Sequence, residues 1–156
     1  MLTPAIPAPV LLAEDEEHDV FFMQRAFTYT SVAQPLIALA NGQEVISYLA
    51  GQEAYAERQH YPEPGLLLLD LNMPLVNGFE VLTWIRQHAP WRDSLPVLVL
   101  SSSGMETDKR KALELGAHEY LVKPSDFKGL LTLIADLKLR WLDPLAAGQQ
   151  LTTRKP

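Results

Sequence analysis

Leu66-Leu67-Leu68-Leu69-Asp70-Leu71-Asn72-Met73-Pro74 is the stretch on which the fold turns. Four consecutive leucines show no polar alternation, so a strand made of them must be covered on both faces, as a central parallel strand is. A buried helical segment would give the same run, and the flanks decide between the two. Pro62, Pro64 and Gly65 come just before it, and Asn72, Pro74, Asn77 and Gly78 come just after, which leaves no room for a helix.

Short apolar runs and longer amphipathic stretches alternate outward from this strand, the pattern of βα units. Strands are expected at Val10 to Glu14, Leu36 to Ala40, Leu66 to Asp70, Val97 to Ser101 and Tyr120 to Lys123. Helices are expected at Glu17 to Thr30, Gln43 to Ala50, Gly78 to His88, Glu106 to Leu115 and Asp126 to Leu142. Gly51 and Gly116 sit where left-handed caps would end two of them, and Pro90 and Pro144 follow helix ends. Five right-handed βα units give an α/β fold: a doubly wound parallel sheet with helices on both faces and a site at the carboxyl ends of the strands.

Length and composition agree. A chain of 156 residues, 47% apolar and 21% charged, suits one soluble domain with short tails. Pro4, Pro7 and Pro9 mark residues 1–8 as an extended lead-in, the domain is expected over 9–142, and residues 143–156 read as a tail. Gln52 to Gly65 reads as a loop extension. Thirteen basic against 19 acidic residues give a net charge of −6, which disfavours nucleic acid and anionic membrane as partners. No cysteine is present, so disulfides, thiolate metal sites and cysteine nucleophiles are excluded, and the four histidines lie too far apart in sequence to suggest a metal site. No apolar run approaches the ~20 residues of a membrane span, and the N-terminus does not read as a signal peptide, so a cytoplasmic location is expected.

The strand ends carry the chemistry. Glu14-Asp15, Asp70, Ser101 and Lys123 should converge on one rim of the sheet. One acid at a strand end is an ordinary turn former, but three carboxylates packed together repel, and a cation has to neutralise them. Oxygen ligands without sulfur or imidazole suit a hard ion, with Mg²⁺ the natural candidate. A metal, a lysine and a hydroxyl are the minimum set for phosphoryl transfer, with Asp70 as the nucleophile that would form an aspartyl phosphate. Taken singly, Asp70 could be a turn former, Lys123 a solvated strand-end charge, and Tyr120 a packing aromatic.

The acidic pair Glu14-Asp15, LLLLDLNMPLVNG around Asp70, LPVLVLSSS around Ser101 and YLVKP around Lys123, in this order and spacing, resemble the receiver domains of two-component response regulators. The resemblance covers roughly residues 9–142 and implies a flavodoxin-like (βα)5 fold with strand order 2-1-3-4-5. It implies Asp70 as phosphoacceptor, Asp15 as a direct metal ligand, Glu14 acting largely through metal-bound water, and the Asn72 backbone carbonyl as a further ligand. Ser101 matches the switch hydroxyl, Tyr120 the aromatic whose rotamer follows it, and Lys123 the phosphate-binding lysine. The Lys123–Pro124 bond matches one that is cis in many relatives. Glu14 stands where Asp is commoner, and Asn72 and Ser103 occupy positions that tune the lifetime of the phosphorylated state. The opening AEDEEHD and the Gln52 to Gly65 extension also look like stand-alone receivers serving bacterial phytochrome kinases.

The expected function is thus that of a response regulator, not an enzyme acting on an external substrate. A sensor histidine kinase, of bacteriophytochrome type on the subfamily resemblance, would supply the phosphoryl group, and output would pass through a downstream protein partner. A phosphohydrolase with an aspartyl nucleophile would want a second acid two residues on, where Asn72 stands. A receiver-like module working without phosphorylation would show damage to the acids or the lysine, and none is visible. Helical geometry leaves Phe22 and Tyr29 off the core face of the first helix, with Phe21 to the side, and Leu133 and Leu139 at or beyond the margin of the last. This apolar surplus suggests a homodimer or a kinase-docking face.

Overall fold

The computed structural model describes residues 6–148. Five parallel strands run β1 (Val10–Ala13), β2 (Leu36–Leu39), β3 (Leu66–Leu69), β4 (Val97–Ser101) and β5 (Glu119–Val122) along the chain, and lie in the order β2-β1-β3-β4-β5 in the sheet. The fold is the doubly wound, flavodoxin-like one expected from the sequence. The helices are α1 (Glu17–Tyr29), α2 (Gly42–Ala50), α3 (Gly78–Gln87), a short α4 (Trp91–Ser94), α5 (Glu106–Glu114), α6 (Phe127–Leu137) and α7 (Asp143–Ala146). None of these is long and apolar enough to cross a membrane.

Side-chain alternation along each strand divides the core in two. Val10, Leu12, Leu66, Leu68, Leu98 and Leu100 pack against α1 and α6 through Met23, Phe27, Ile134 and Leu137. Leu11, Leu67, Leu69, Val97 and Val99 pack on the opposite face against α2, α3 and α5. The four leucines of β3 are buried on both sides, as a central parallel strand requires. Helix starts are fixed locally. Asn41, Asn77 and Asp126 accept bonds from the amides of Glu44, Glu80 and Gly129, and Asn77 with Glu80 forms a reciprocal capping box. Gly51 and Gly116 hold the expected left-handed conformations, with φ of 66° and 109°.

Three local expectations are corrected. Among the described residues the cis peptide bond is Ala89–Pro90, and Lys123–Pro124 is trans. The last helix does not end at Leu142: residues Lys138–Leu142 form a π-helical turn and α7 continues to Ala146, so the folded chain extends into the segment read as a tail. Pro144 has no amide hydrogen to give the preceding turn and its ring crowds it, and buried Gln34 donates to the Leu142 carbonyl at 2.7 Å. The wider turn buries Trp141 and Leu142 while Leu139 faces outward. The 52–65 segment is also less of a free loop than its composition suggests. Tyr55 and Tyr61 pack with buried Tyr48, whose hydroxyl donates to the Pro62 carbonyl at 2.7 Å, and Arg58 donates to the carbonyls of Leu49 and Tyr61. Residues 1–5 and 149–156, which complete the two expected tails, lie outside the described residues.

His118 closes the start of β4. Its amide donates to the Val97 carbonyl at 2.8 Å, and its Nδ1 accepts the Val97 amide hydrogen at 2.9 Å, which requires a neutral ring. Burial, with the nearby Arg86 charge, holds this imidazole below its ordinary value. The unfolded chain therefore takes up the proton first as the pH falls below about 6.5, and this contribution to stability is lost on the acid side. Asn at position 118 can offer an oxygen to the same amide without titrating. Urea unfolding at about pH 7.5 and about pH 5.5 should show wild type losing stability relative to His118→Asn on acidification, and a gap independent of pH would refute the assignment.

Candidate functional site

Strand register builds the site. Ala13 stands opposite Leu69 across β1 and β3, so the next residues, Glu14 and Asp70, leave the sheet side by side. The Asp70 amide donates to the Ala13 carbonyl at 3.1 Å and the Glu14 amide to the Leu39 carbonyl at 3.0 Å, which fixes both residues at one level. On the other side of β3, the Lys123 amide donates to the Ser101 carbonyl at 2.8 Å, bringing the lysine to the same rim. Glu14 and Asp70 continue the alternation of Leu12 and Leu68, and Lys123 that of Leu121, toward the α1/α6 face.

Lys123 Nζ meets three carboxylates: Glu14 Oε1 at 2.5 Å, Asp19 Oδ2 at 3.1 Å and Asp70 Oδ2 at 3.3 Å. The other Asp70 oxygen accepts the Asn72 amide at 3.1 Å, and Glu14 Oε2 accepts the Glu16 amide at the same distance. Glu14 and Asp70 are buried, whereas Asp15 is exposed. Burial, reinforced by the Asp70 charge and opposed by Lys123, pushes the Glu14 carboxyl up to about 7. For Lys123, burial would lower the ammonium's pKa, but the Glu14 bond and the neighbouring carboxylates outweigh it and raise it, so the side chain stays charged.

A divalent cation fits this arrangement. Glu14, Asp15 and Asp70 each offer one carboxylate oxygen, and the three oxygens lie within 4.8 Å of one another. They are hard donors, and exposed Asp15 leaves a side open to water, as suits Mg²⁺ or Mn²⁺. One lysine cannot neutralise three carboxylates, so the site gains from a second positive charge. A cavity of about 350 Å³ adjoins these groups, lined by Glu14, Asp70 and Lys123 together with the apolar Leu12, Met23, Phe22 and Phe127.

Ser101 and Tyr120 belong to the opposite face of the sheet. Ser101 is fully buried, and its hydroxyl accepts the Ser103 amide at 3.2 Å. The Tyr120 hydroxyl donates to the Ser103 carbonyl at 2.7 Å, and the Ser103 hydroxyl donates to Asp108 at 2.7 Å. Acids and lysine thus come together as the strand ends implied, while Ser101 and Tyr120 are joined to each other through the β4–α5 loop. Sequence reasoning missed Asp19 and Asp108. Asp19 could have been suspected from its place in the first turn of α1, directly after the acidic pair.

Comparison with known proteins accords with this geometry. Residues 10–135 match the family described as the response regulator receiver domain, and the chain belongs to that family. It is a signalling protein, of a family whose acidic pocket binds a divalent metal and whose membership implies a histidine kinase partner. Among its relatives is the response regulator Rcp1 of Synechocystis, 34% identical over 137 residues, 88% of this chain and 90% of Rcp1. The Mn²⁺-bound structure of Rcp1 superposes with a TM-score of 0.78 at 33% identity, over 88% of this chain and 96% of that one. The response regulator RPA3017, from red light signalling in R. palustris, gives 0.80 at 30% identity, covering 86% and 94%. The phosphorylated cyanobacterial phytochrome response regulator RcpA gives 0.79 at 29% identity, covering 87% and 94%.

Gly78 lets α3 start close under the end of β3. A Cβ there would lie 2.6 Å from the Asp70 carbonyl oxygen and 2.7 Å from the Leu71 Cα, both backbone atoms. Gly78→Ala should therefore destabilise the protein by about 1–3 kcal/mol, seen as a lower urea midpoint. An unchanged midpoint would show that α3 can move away freely.

Proposed function

We propose that Asp70 accepts a phosphoryl group from the phosphohistidine of a sensor histidine kinase, with Mg²⁺ held by Glu14, Asp15, Asp70 and the backbone carbonyl of Asn72. The observation that carries this reading is the setting of the Asp70 carboxylate. One oxygen is bonded to the Asn72 amide and the other to Lys123, and the acidic pair lies alongside. Bound Mg²⁺ would supply charge neutralisation to the carboxylates and the incoming phosphoryl oxygens.

An Asp70 oxygen forms the new bond to phosphorus as the donor's P–N bond breaks. The bonding pair stays on the imidazole nitrogen, which is then protonated, and Asp70 becomes an acyl phosphate. Lys123 donates to a phosphoryl oxygen and offsets the added negative charge. Ser101 turns its hydroxyl from the Ser103 amide toward the phosphoryl group. That turn releases the β4–α5 loop, which Tyr120 holds by the Ser103 carbonyl, and so alters the surface seen by a downstream protein.

The kinase is of the bacteriophytochrome class. RPA3017 and RcpA, regulators of red light and phytochrome signalling, match this chain over nearly their whole length. Phosphotransfer from a phytochrome kinase should accordingly outpace transfer from an unrelated histidine kinase.

Two outcomes test the chemistry. With Mg²⁺ and acetyl phosphate, intact-mass measurement should show one phosphoryl group on the wild type, and none in Asp70→Asn or with a chelator. No adduct, with metal binding demonstrated and rapid hydrolysis excluded, would favour a module that works unphosphorylated. Asp15→Asn should weaken Mn²⁺ and Mg²⁺ binding by about tenfold or more in calorimetric titration, the scale on which residues of a metal centre count.

A further inference from the structure

Lys123 has three ammonium hydrogens, and three carboxylates from three different elements surround it: Glu14 after β1, Asp70 after β3 and Asp19 from the first turn of α1. Before the Asp70–phosphorus bond forms, an incoming phosphoryl oxygen can bond this lysine only if one of them lets go. The three differ in what release would cost. The Glu14 and Asp70 side chains are 3% and 8% exposed, so neither can turn to water. Asp19 is 47% exposed, and release leaves its carboxylate hydrated near the N-terminus of α1, where negative charge is favoured. Asp126, the other acid lining the same cavity, is already committed to the Gly129 amide as the cap of α6.

We infer that Asp19 is a positioning residue for phosphoryl acceptance: it holds Lys123 in the resting state and is displaced by the incoming phosphoryl group. The inference rests on Asp70 being the acceptor. As the Asp70–phosphorus bond forms and the donor's P–N bond breaks with its electron pair left on nitrogen, Lys123 passes from Asp19 to a phosphoryl oxygen. Until that exchange, the Asp19 carboxylate also lies beside the path of an anionic donor and repels it. Asp19 thus slows adventitious phosphorylation by small donors, because part of the lysine's attraction is already engaged.

The test is the rate of phosphorylation by phosphoramidate in saturating Mg²⁺, followed by intact mass over a range of donor concentrations and ionic strengths. Asp19→Asn should raise the apparent second-order rate constant about two- to fivefold at low salt, the scale of a partly exposed ion pair. The gain should shrink as salt screens the pair. Asp19→Glu, which retains the charge, should stay near the wild-type rate. A merely structural role for Asp19 would give no salt-dependent gain. Equal or slower incorporation in Asp19→Asn, with wild type phosphorylated and Asp70→Asn not, would overturn the role of Asp19 alone. No incorporation in wild type or Asp19→Asn would overturn it together with the Asp70 reading.

Discussion

Charge balance at the end of the sheet is the constraint on which the rest of the structure depends. Parallel register between β1 and β3 places Glu14 and Asp70 side by side at the edge of an apolar core, where carboxylates are costly. Lys123 compensates part of that cost, and it does so from β5, two strands away from β3 in the sheet. The acids are held where they are by long apolar runs, and those runs leave them little water. The same leucines that make β3 a central strand therefore make the first polar residue after it an electrostatic problem. A divalent cation and a phosphoryl group are both answers to it, one neutralising the acids and the other engaging the lysine.

Alternation along the strands separates the acids and Lys123 from Ser101 and Tyr120. Glu14, Asp70 and Lys123 continue the side-chain rows that face α1 and α6, whereas Ser101 and Tyr120 continue the rows that face α2, α3 and α5. The sheet between them is packed solid with leucine and valine, so on the proposed reading a change at Asp70 reaches the second set through the β4–α5 loop at the rim. The bonds holding that loop, from the Tyr120 hydroxyl to the Ser103 carbonyl and from the Ser103 amide to the Ser101 hydroxyl, are few and local.

The sequence made legible what depends on runs and on the residue that ends each run. Apolar runs revealed the five strands, with β5 beginning one residue earlier than its run at Glu119, and the topology of βα units then brought Glu14, Asp70 and Lys123 to one rim. What stayed hidden depends on contacts between distant segments or on small helical adjustments. Asp19 meets Lys123 across 104 positions of sequence, and nothing in the local pattern of α1 announces a lysine above it. The 52–65 segment has the composition of a loop, yet tilted and edge-on tyrosine contacts and Arg58 tie it to α2. The π turn before α7 depends on Pro144 acting on the turn behind it and on Gln34 reaching a carbonyl 108 residues away.

The exposed aromatics of α1 are best understood from the cavity beside them. Met23, Ala26 and Phe27 already satisfy the core side of this helix, so Phe21, Phe22 and Tyr29 are not required for packing. They form a band with Phe127 of α6, with ring centroids 5.4 to 6.0 Å apart. Phe22 and Phe127 are also walls of the cavity that holds Glu14, Asp70 and Lys123. On the proposed reading, a donor reaching Asp70 from this side passes over these rings, and Asp19 lies one helical turn from Phe22. If Asp19 yields Lys123 as inferred above, contact with the aromatic wall and that displacement belong to the same approach, and a macromolecular donor gains from apolar contact what a small anion must overcome by concentration alone.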